Sequence, residues 1–173
     1  MAAVAVGLAG CGAGQQRIET FSAKAPLSAA SKGLCGAGQL AISISPPSGA
    51  AGSSYYTVSL TNRSAQACAL EGYSTISFRR SAAGTDVGPS AQRQEAPTAP
   101  VTLQPSGTAY ETVRLVNSDD FPSSTCQISA VSGLSIDPPG QSSPAWIPLQ
   151  TQTCATGAQS LFVWPIAATV GSA

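Results

Sequence analysis

The sequence predicts an all-β fold, an antiparallel β-sandwich held together by disulfides. Three observations indicate this fold: short segments alternate apolar and polar residues, turn residues separate them, and four widely spaced cysteines accompany them. Alternation with a period of two is typical of half-buried strands, and short strands separated by turns are typical of sandwiches. No segment sustains a helical period.

The first half of the domain contains the clearest alternation. In the first segment, Leu40, Ile42 and Ile44 share one face. In the second, Tyr55 and Tyr56 are neighbours, so their side chains are expected on opposite faces of the sheet. The strands predicted here occupy residues 39–45, 55–61, 67–70 and 73–80.

The second half begins with a polar stretch, residues 81–98, whose glycines and prolines predict a long loop. The longest predicted strand follows, and Val113 and Leu115 share one of its faces. The strands predicted in this half occupy residues 101–103, 108–116, 133–137, 145–149 and 160–166.

The composition fits a small exported domain. A chain of 173 residues and 17.2 kDa is long enough for one domain with a short extension. The net charge is +0 and charged residues make up 9%, so no basic surplus is available for nucleic acid. Leu, Ile, Val and Phe amount to about a fifth of the chain, near the level at which folded domains become rare. We therefore expect the core to need covalent cross-links.

The N-terminal segment predicts a lipid anchor. An apolar run leads into Leu8-Ala9-Gly10-Cys11, which resembles the lipobox of bacterial lipoproteins, where the cysteine thiol accepts diacylglycerol. No Lys or Arg precedes Arg17, although signal peptides normally begin with positive charge, so we expect the native start to lie upstream. Residues 1–11 are interpreted as a signal remnant. Residues 12–34, rich in Gly, Ala, Ser and Gln, are interpreted as a flexible linker.

The four remaining cysteines predict two disulfides. An even number of cysteines in an exported chain allows three connectivities, of which we favour Cys35–Cys68 and Cys126–Cys154, because each pair joins neighbouring parts of the chain. Closing each loop, about 30 residues long, would stabilise the fold by roughly 3–4 kcal/mol. The absence of a CxxC pair argues against a redox motif, and a zinc site built from all four cysteines is the less favoured alternative.

Several segments together resemble one known family; they occupy residues 51–57, 60–64, 68–73, 101–105 and 134–140, together with Cys126. The family that these segments resemble is the actinobacterial lipoprotein domain called domain of unknown function 4232. The resemblance covers residues 35–166 and leaves a C-terminal tail, 167–173. It implies an immunoglobulin-like β-sandwich with two disulfides on the outer side of the cytoplasmic membrane, and it implies no activity. One departure is Ser74-Thr75, where the family commonly has Pro and a small residue.

Residues for catalysis are scarce. The chain has no His, no GxSxG elbow and no SxxK motif, which argues against the common nucleophilic hydrolases. A Ser–Lys dyad would need Lys24 or Lys32, and both lie in the predicted linker. We therefore predict no catalytic residues and no cofactor.

Three polar motifs have a structural explanation as well as a functional one. Asp119-Asp120 could contribute to a calcium site but lacks further spaced acidic residues, so a solvated loop and no metal site are predicted. Arg79-Arg80 could meet an anionic lipid or a teichoic-type polymer, although two charges at a strand end are more often solubilising. The glycosylation-type triplet 62–64 is interpreted as a turn.

The aromatic residues offer the best candidate for binding. Tyr55, Tyr56 and Trp146 could form a shelf that stacks on sugars or on side chains of a partner, whereas Tyr56, Trp146 and Trp164 are favoured as core residues. The function predicted is that of a non-catalytic, lipid-anchored envelope module for binding or scaffolding, on the extracytoplasmic face of the cell membrane. Its partner would be an envelope protein or a glycan, and the chain is expected to be a monomer. The alternatives are a purely structural lipoprotein and an enzyme of unrecognised type.

Overall fold

The computed structural model describes residues 33–36, 38–141 and 143–171. The predicted lipobox with Cys11, and the linker as far as residue 32, lie outside the described residues. The two linker residues that are described, Gly33 and Leu34, lie beside Ala69. The Ala69 backbone N–H donates to the Gly33 carbonyl at 3.1 Å, and Leu34 forms an isolated bridge with Ala69.

The described residues form short strands and one turn of 3₁₀-helix, Ser118–Asp120. The strands are β1 (Leu40–Ile44), β2 (Ser48–Ala50), β3 (Ser53–Asn62), β4 (Cys68–Leu70), β5 (Thr75–Arg79), β6 (Asp86–Val87), β7 (Gln92–Arg93), β8 (Val101–Leu103), β9 (Thr108–Val116), β10 (Cys126–Asp137), β11 (Ala145–Gly157) and β12 (Leu161–Val163).

Two sheets face each other and enclose the core. The six-stranded sheet has the order β1-β3-β9-β12-β7, with β2 also paired to β3, and the four-stranded sheet has the order β11-β10-β5-β6. A ribbon of β4 and β8 forms a third, 2-stranded unit. All pairs are antiparallel except β7 with β12. The predicted all-β antiparallel sandwich with two disulfides is confirmed.

Alternation along the central strands builds the core. On β3 and β9 every second residue is buried, including Val58, Leu60 and Val113 at 0% exposure. Phe78 and Ile136 of the four-stranded sheet face them and are also buried. Burying a large apolar side chain stabilises the fold by roughly 1.5–3 kcal/mol, which lets a few such residues hold the two layers together.

Both disulfides join the predicted cysteines. Cys35 is bonded to Cys68 on β4, so the chain just before β1 is fastened to the β4–β8 ribbon. Cys126 is bonded to Cys154, which joins the first part of β10 to its neighbour β11. The favoured connectivity is confirmed.

The pair β10–β11 is longer than predicted. The expected strands 133–137 and 145–149 are the end of β10 and the start of β11, and both strands continue through residues rich in Ser, Thr and Gln. Those residues do not alternate between apolar and polar, so the sequence pattern does not predict these parts of the two strands. Pro148 is tolerated in β11 because this strand is an edge of its sheet.

Two tryptophans predicted in the core lie on outer faces instead. Trp146 and Trp164 are both half-buried, whereas Tyr56 is 7% exposed and belongs to the core as expected. The Trp146 ring covers Gly133, where an added Cβ would lie 2.6 Å from the indole and 2.5 Å from the Ile147 carbonyl oxygen. An indole often keeps one edge accessible, because its area is large and its N–H is polar.

The predicted loop 81–98 crosses between the sheets and contains two short strands. β6 pairs with β5 of the four-stranded sheet, and β7 pairs with β12 of the six-stranded sheet. Between them, the Ala91 N–H donates to the Ile76 carbonyl at 2.8 Å. Strands of two residues carry no periodicity, so the sequence alone offers no signal for them.

Candidate binding face

The outer face of the six-stranded sheet gathers aromatic rings around one arginine. Alternation along β9 buries every second residue and directs Tyr110, Thr112 and Arg114 outward. Arg114 lies opposite Tyr55 on β3 and opposite Phe162 on β12. Trp164 follows β12, and its backbone N–H donates to the Thr112 carbonyl at 3.0 Å. We call this half-buried group the aromatic face: Tyr55, Tyr110, Arg114, Phe162 and Trp164.

The rings of the aromatic face contact one another across the sheet. The Tyr55 and Trp164 ring centroids are 6.3 Å apart with an interplanar angle of 43°. Because β9 separates their strands, the two rings lean toward each other above it. The Arg114 guanidinium carbon lies 4.4 Å from the centroid of the Phe162 ring, within cation–π range. These contacts hold the side chains in place on an otherwise open surface.

Two shallow grooves flank the paired rings. The indole groove has a cavity volume of about 150 Å³ and is lined by Tyr110 and Trp164 together with small apolar residues. The hydroxyl groove has a cavity volume of about 280 Å³ and is lined by Tyr55, Thr57, Ser45 and Ser48, among others. None of the described residues that line the two grooves is charged. Such a lining suits ligand surfaces that combine apolar faces with hydroxyl groups.

The C-terminal segment separates these grooves. Ala167 exchanges two backbone hydrogen bonds of 2.8 Å with Tyr110, which adds a short bridge to β9. The chain then continues over the sheet as exposed residues, so that Gly171 lines both grooves. Thr112 of β9 also lines both grooves. The two grooves are therefore adjacent parts of one surface.

A buried carboxyl lies on the other side of the same strand. Glu111 points into the core and is 1% exposed. Its Oε1 accepts a hydrogen bond of 2.8 Å from the Ser74 backbone N–H, which ties β9 to the chain just before β5. Within the described structure, its Oε2 and the Ser74 hydroxyl have no hydrogen-bond partner.

Burial dominates the ionisation of Glu111. Loss of hydration raises the pKa of this carboxyl from 4.5 to about 7. The Ser74 backbone N–H and the positive charge of Arg93 lower the pKa by less. A carboxyl with this pKa could in principle transfer protons, but Glu111 has no exposed surface through which a substrate could reach it. We interpret the residue as a structural link between the two sheets.

A third groove, polar and with a volume of about 260 Å³, lies near the 3₁₀ turn. Asp119 lines it beside Asn117 and Thr151, and both Asp119 and Asp120 are exposed. In the described part of the chain, no three His, Cys, Asp or Glu residues are placed to share a metal ion. Both carboxylates of the acid pair are exposed on this turn, within the segment predicted as a loop.

The predicted basic pair is engaged locally. Arg79 donates from Nε to an Asp86 carboxylate oxygen at 2.6 Å, the ion pair of the β5–β6 hairpin. Arg80 donates to the Ser129 hydroxyl at 2.7 Å. Both are on the four-stranded sheet or at its edge, away from the aromatic face.

The triplet 62–64 forms the predicted turn. Asn62 is 0% exposed, and its Oδ1 accepts from the Ser64 backbone N–H at 2.9 Å. Its Nδ2 donates to the Gln66 carbonyl at 2.7 Å and to the Leu103 carbonyl at 3.2 Å. A buried amide with this set of partners positions the backbone and offers no attachment point for a sugar.

The sequence pattern identifies Tyr55 and misses the rest of the aromatic face. A signal exists on β9, because placing Val113 and Leu115 inward also places Glu111 inward and Arg114 outward. No signal pairs Arg114 with Phe162, because that contact depends on the order of the strands. Trp146 is on the other sheet and does not join Tyr55 in a shelf.

Comparison with known protein families adds one finding. The sequence profile of the domain of unknown function DUF4232 matches residues 35–167, which is most of the chain. The chain belongs to the DUF4232 family. Neither the curated proteins nor the solved structures contain a significant match to it.

The DUF4232 match covers the whole sandwich. Both disulfides and every residue of the aromatic face lie inside it, and Cys11 lies outside. Among the described residues, the DUF4232 domain has no helix that is long and apolar enough to cross a membrane. The family description assigns no activity.

Proposed function

We propose that this DUF4232 chain is a non-catalytic, lipid-anchored module of the cell envelope. Its sandwich would stand outside the cytoplasmic membrane, attached through Cys11, and would bind a partner on the aromatic face. Leu8-Ala9-Gly10-Cys11 supports the anchor. The two disulfides support an oxidising compartment, since reducing agents keep cytosolic thiols free.

The observation that carries the binding role is the clustering of half-buried rings on the outer face of one sheet. An outer face that serves only solubility would carry scattered charges, whereas this one carries paired rings and uncharged grooves. Contiguous aromatic surface on a soluble domain commonly marks a binding site. Aromatic side chains contribute large contact area at little conformational cost.

Three observations support a non-catalytic role. The chain has no His, so the most frequent general base is missing. Among the described residues, the one carboxyl with a strongly raised pKa, Glu111, is enclosed in the core and bonded to backbone. The described residues that line the grooves of the aromatic face include no charged side chain that could act as an acid or a base.

The anchor is tested by fractionation of cells that express the chain from its native upstream start. We expect the wild-type protein in the membrane fraction and Cys11→Ala in the soluble fraction, because two acyl chains hold a protein firmly in a bilayer. The same distribution for both proteins would contradict the anchor.

The binding role is tested with immobilised, oxidised protein and fractions of envelope extract. The double variant Tyr55→Ala/Trp164→Ala removes the paired rings, and Trp146→Ala removes an indole from the opposite sheet as the matched control. We expect at least one envelope component to be retained by the immobilised wild type and by Trp146→Ala, and not to be retained by the double variant. Equal retention of a component by all three proteins, with unchanged melting curves, would contradict binding by the paired rings, and the absence of any retained component would favour the purely structural alternative.

A further inference from the structure

Arg114 is the single charge on the outer face formed by β1, β3, β9 and β12. The other outward positions of these strands carry hydroxyl, aromatic or small aliphatic side chains. Glu111, the acidic residue of β9, points to the core. At the outward positions of these four strands the guanidinium is therefore the one charged group, and an anionic group of a ligand would bind there.

The charge of Arg114 is not compensated within the described structure. No carboxylate there lies within 4.0 Å of its guanidinium, and its buried Nε has no hydrogen-bond acceptor. Phe162 lies against one side of the guanidinium and supports it. A guanidinium supported in this way keeps its outer N–H groups available as a fork, which matches the two oxygens of a carboxylate.

Hydroxyl groups and rings surround this cation. Arg114 lies opposite Tyr55, and Thr57, two residues further along β3, lies opposite Thr112. Both threonines and Ser45 line the hydroxyl groove beside the Tyr55 ring. A sugar ring has an apolar face of C–H groups, which stacks on aromatic rings, and a rim of hydroxyls, which exchange hydrogen bonds with Ser and Thr.

We infer that the aromatic face binds an acidic glycan, with the carboxylate of one sugar residue on Arg114 and a neighbouring ring over Tyr55 and Trp164. This inference rests on the proposed binding function and names the class of ligand. One cation matches one carboxylate per bound segment, whereas a polyphosphate chain or a strongly acidic peptide would call for several cations. The two uncharged grooves beside the paired rings would take the neutral sugars that separate the acidic ones.

The test uses the full oxidised chain and two tetrasaccharides, one from hyaluronan, which alternates glucuronate with N-acetylglucosamine, and one from chitin, which is N-acetylglucosamine alone. Binding is measured by titration calorimetry at low salt. The variants are Arg114→Gln, Arg114→Lys and the control Arg80→Gln, which removes an exposed arginine from the other sheet. Poly-glutamate of similar charge serves as the acidic peptide probe.

We expect the hyaluronan tetrasaccharide to bind wild type about tenfold more tightly than the chitin tetrasaccharide, the effect of one charge-assisted bidentate pair. Arg114→Gln should abolish this preference, so that the two tetrasaccharides bind the variant with similar affinity. Arg114→Lys should keep part of the preference for the hyaluronan tetrasaccharide, and Arg80→Gln should keep all of it.

Three outcomes would overturn the inference: no binding of either sugar at millimolar concentration, equal affinity for both, or an equal loss in Arg80→Gln and Arg114→Gln. Tighter binding of poly-glutamate that depends on Arg114 would assign the face to acidic peptides instead. In each case the retention experiment with Tyr55→Ala/Trp164→Ala tells whether the binding function survives without this ligand. Melting curves of the Arg114 variants distinguish lost contacts from lost folding.

Discussion

Replacing Glu111 by glutamine should stabilise the domain at neutral pH and flatten its dependence on pH. The amide keeps an oxygen that can accept from the Ser74 backbone N–H, and it carries no charge into the core. In the wild type, burial raises the pKa of Glu111 to about 7 from an ordinary value of 4.5. The substitution therefore removes one titration and leaves the contact with Ser74 in place.

The sign of the effect follows from proton binding. Between about pH 4.5 and 7 the folded wild type holds a proton on Glu111 that the unfolded chain has released. The free energy of unfolding therefore falls as the pH rises through this window, and the loss is complete above pH 7. A difference of about 2.5 pKa units corresponds to roughly 3 kcal/mol, or about 10 °C in melting temperature for a domain of this size.

The assay is urea denaturation of oxidised wild type and Glu111→Gln at pH 5 and pH 8, with Glu95→Gln as a control at an exposed carboxyl. We expect the free energy of unfolding of Glu111→Gln, relative to that of the wild type, to be larger at pH 8 than at pH 5. The control Glu95→Gln should have the same free energy of unfolding as the wild type at both pH values. A stability difference between Glu111→Gln and wild type that does not grow from pH 5 to pH 8 would refute the reasoning.

Three further predictions concern the framework of the sandwich. Gly133→Ala should destabilise the fold by about 1–3 kcal/mol in thermal unfolding, because its Cβ meets a backbone oxygen and an indole ring. The control Gly49→Ala has open space at its Cβ and should stay within about 0.5 kcal/mol of the wild type. Equal effects of the two substitutions would contradict the clash. Replacing Cys126 and Cys154 by alanine opens a loop with a sequence separation of 28 and should lower the stability by roughly 3–4 kcal/mol in urea, and an unchanged denaturation midpoint would contradict this. Removing residues 12–31 should leave the melting temperature within about 4 °C, and a larger drop would indicate that this segment packs on the sandwich.

Alternation makes much of this fold predictable. Buried and exposed residues alternate along β3 and β9 as the apolar pattern requires, and the same period of two puts Tyr55 and Tyr56 on opposite faces. The disulfide pairing is also predictable, because two cysteines close in sequence can meet across neighbouring strands. These features depend on local sequence.

The features that are not predictable either lack an apolar period or depend on strand order. β10 begins at Cys126, and its first residues carry no apolar period. The aromatic face forms because β9 runs between β3 and β12, which brings Phe162 to Arg114. Long-range pairings of this kind leave no trace in the spacing of residues along the chain.

The bond from Cys35 to β4 also determines how the domain would bear mechanical force. Cys35 is fully buried, its N–H donates to the Ala69 carbonyl at 3.0 Å, and it precedes the edge strand β1. In a chain held by its N-terminal side, as proposed, tension would enter the sandwich through this covalent bond before it reached β1. The hydrogen bonds between β1 and β3 would then carry no load until the packing around Cys68 was disrupted. Reduction of the bond would transfer the load to the sheet edge, where those hydrogen bonds can break one after another.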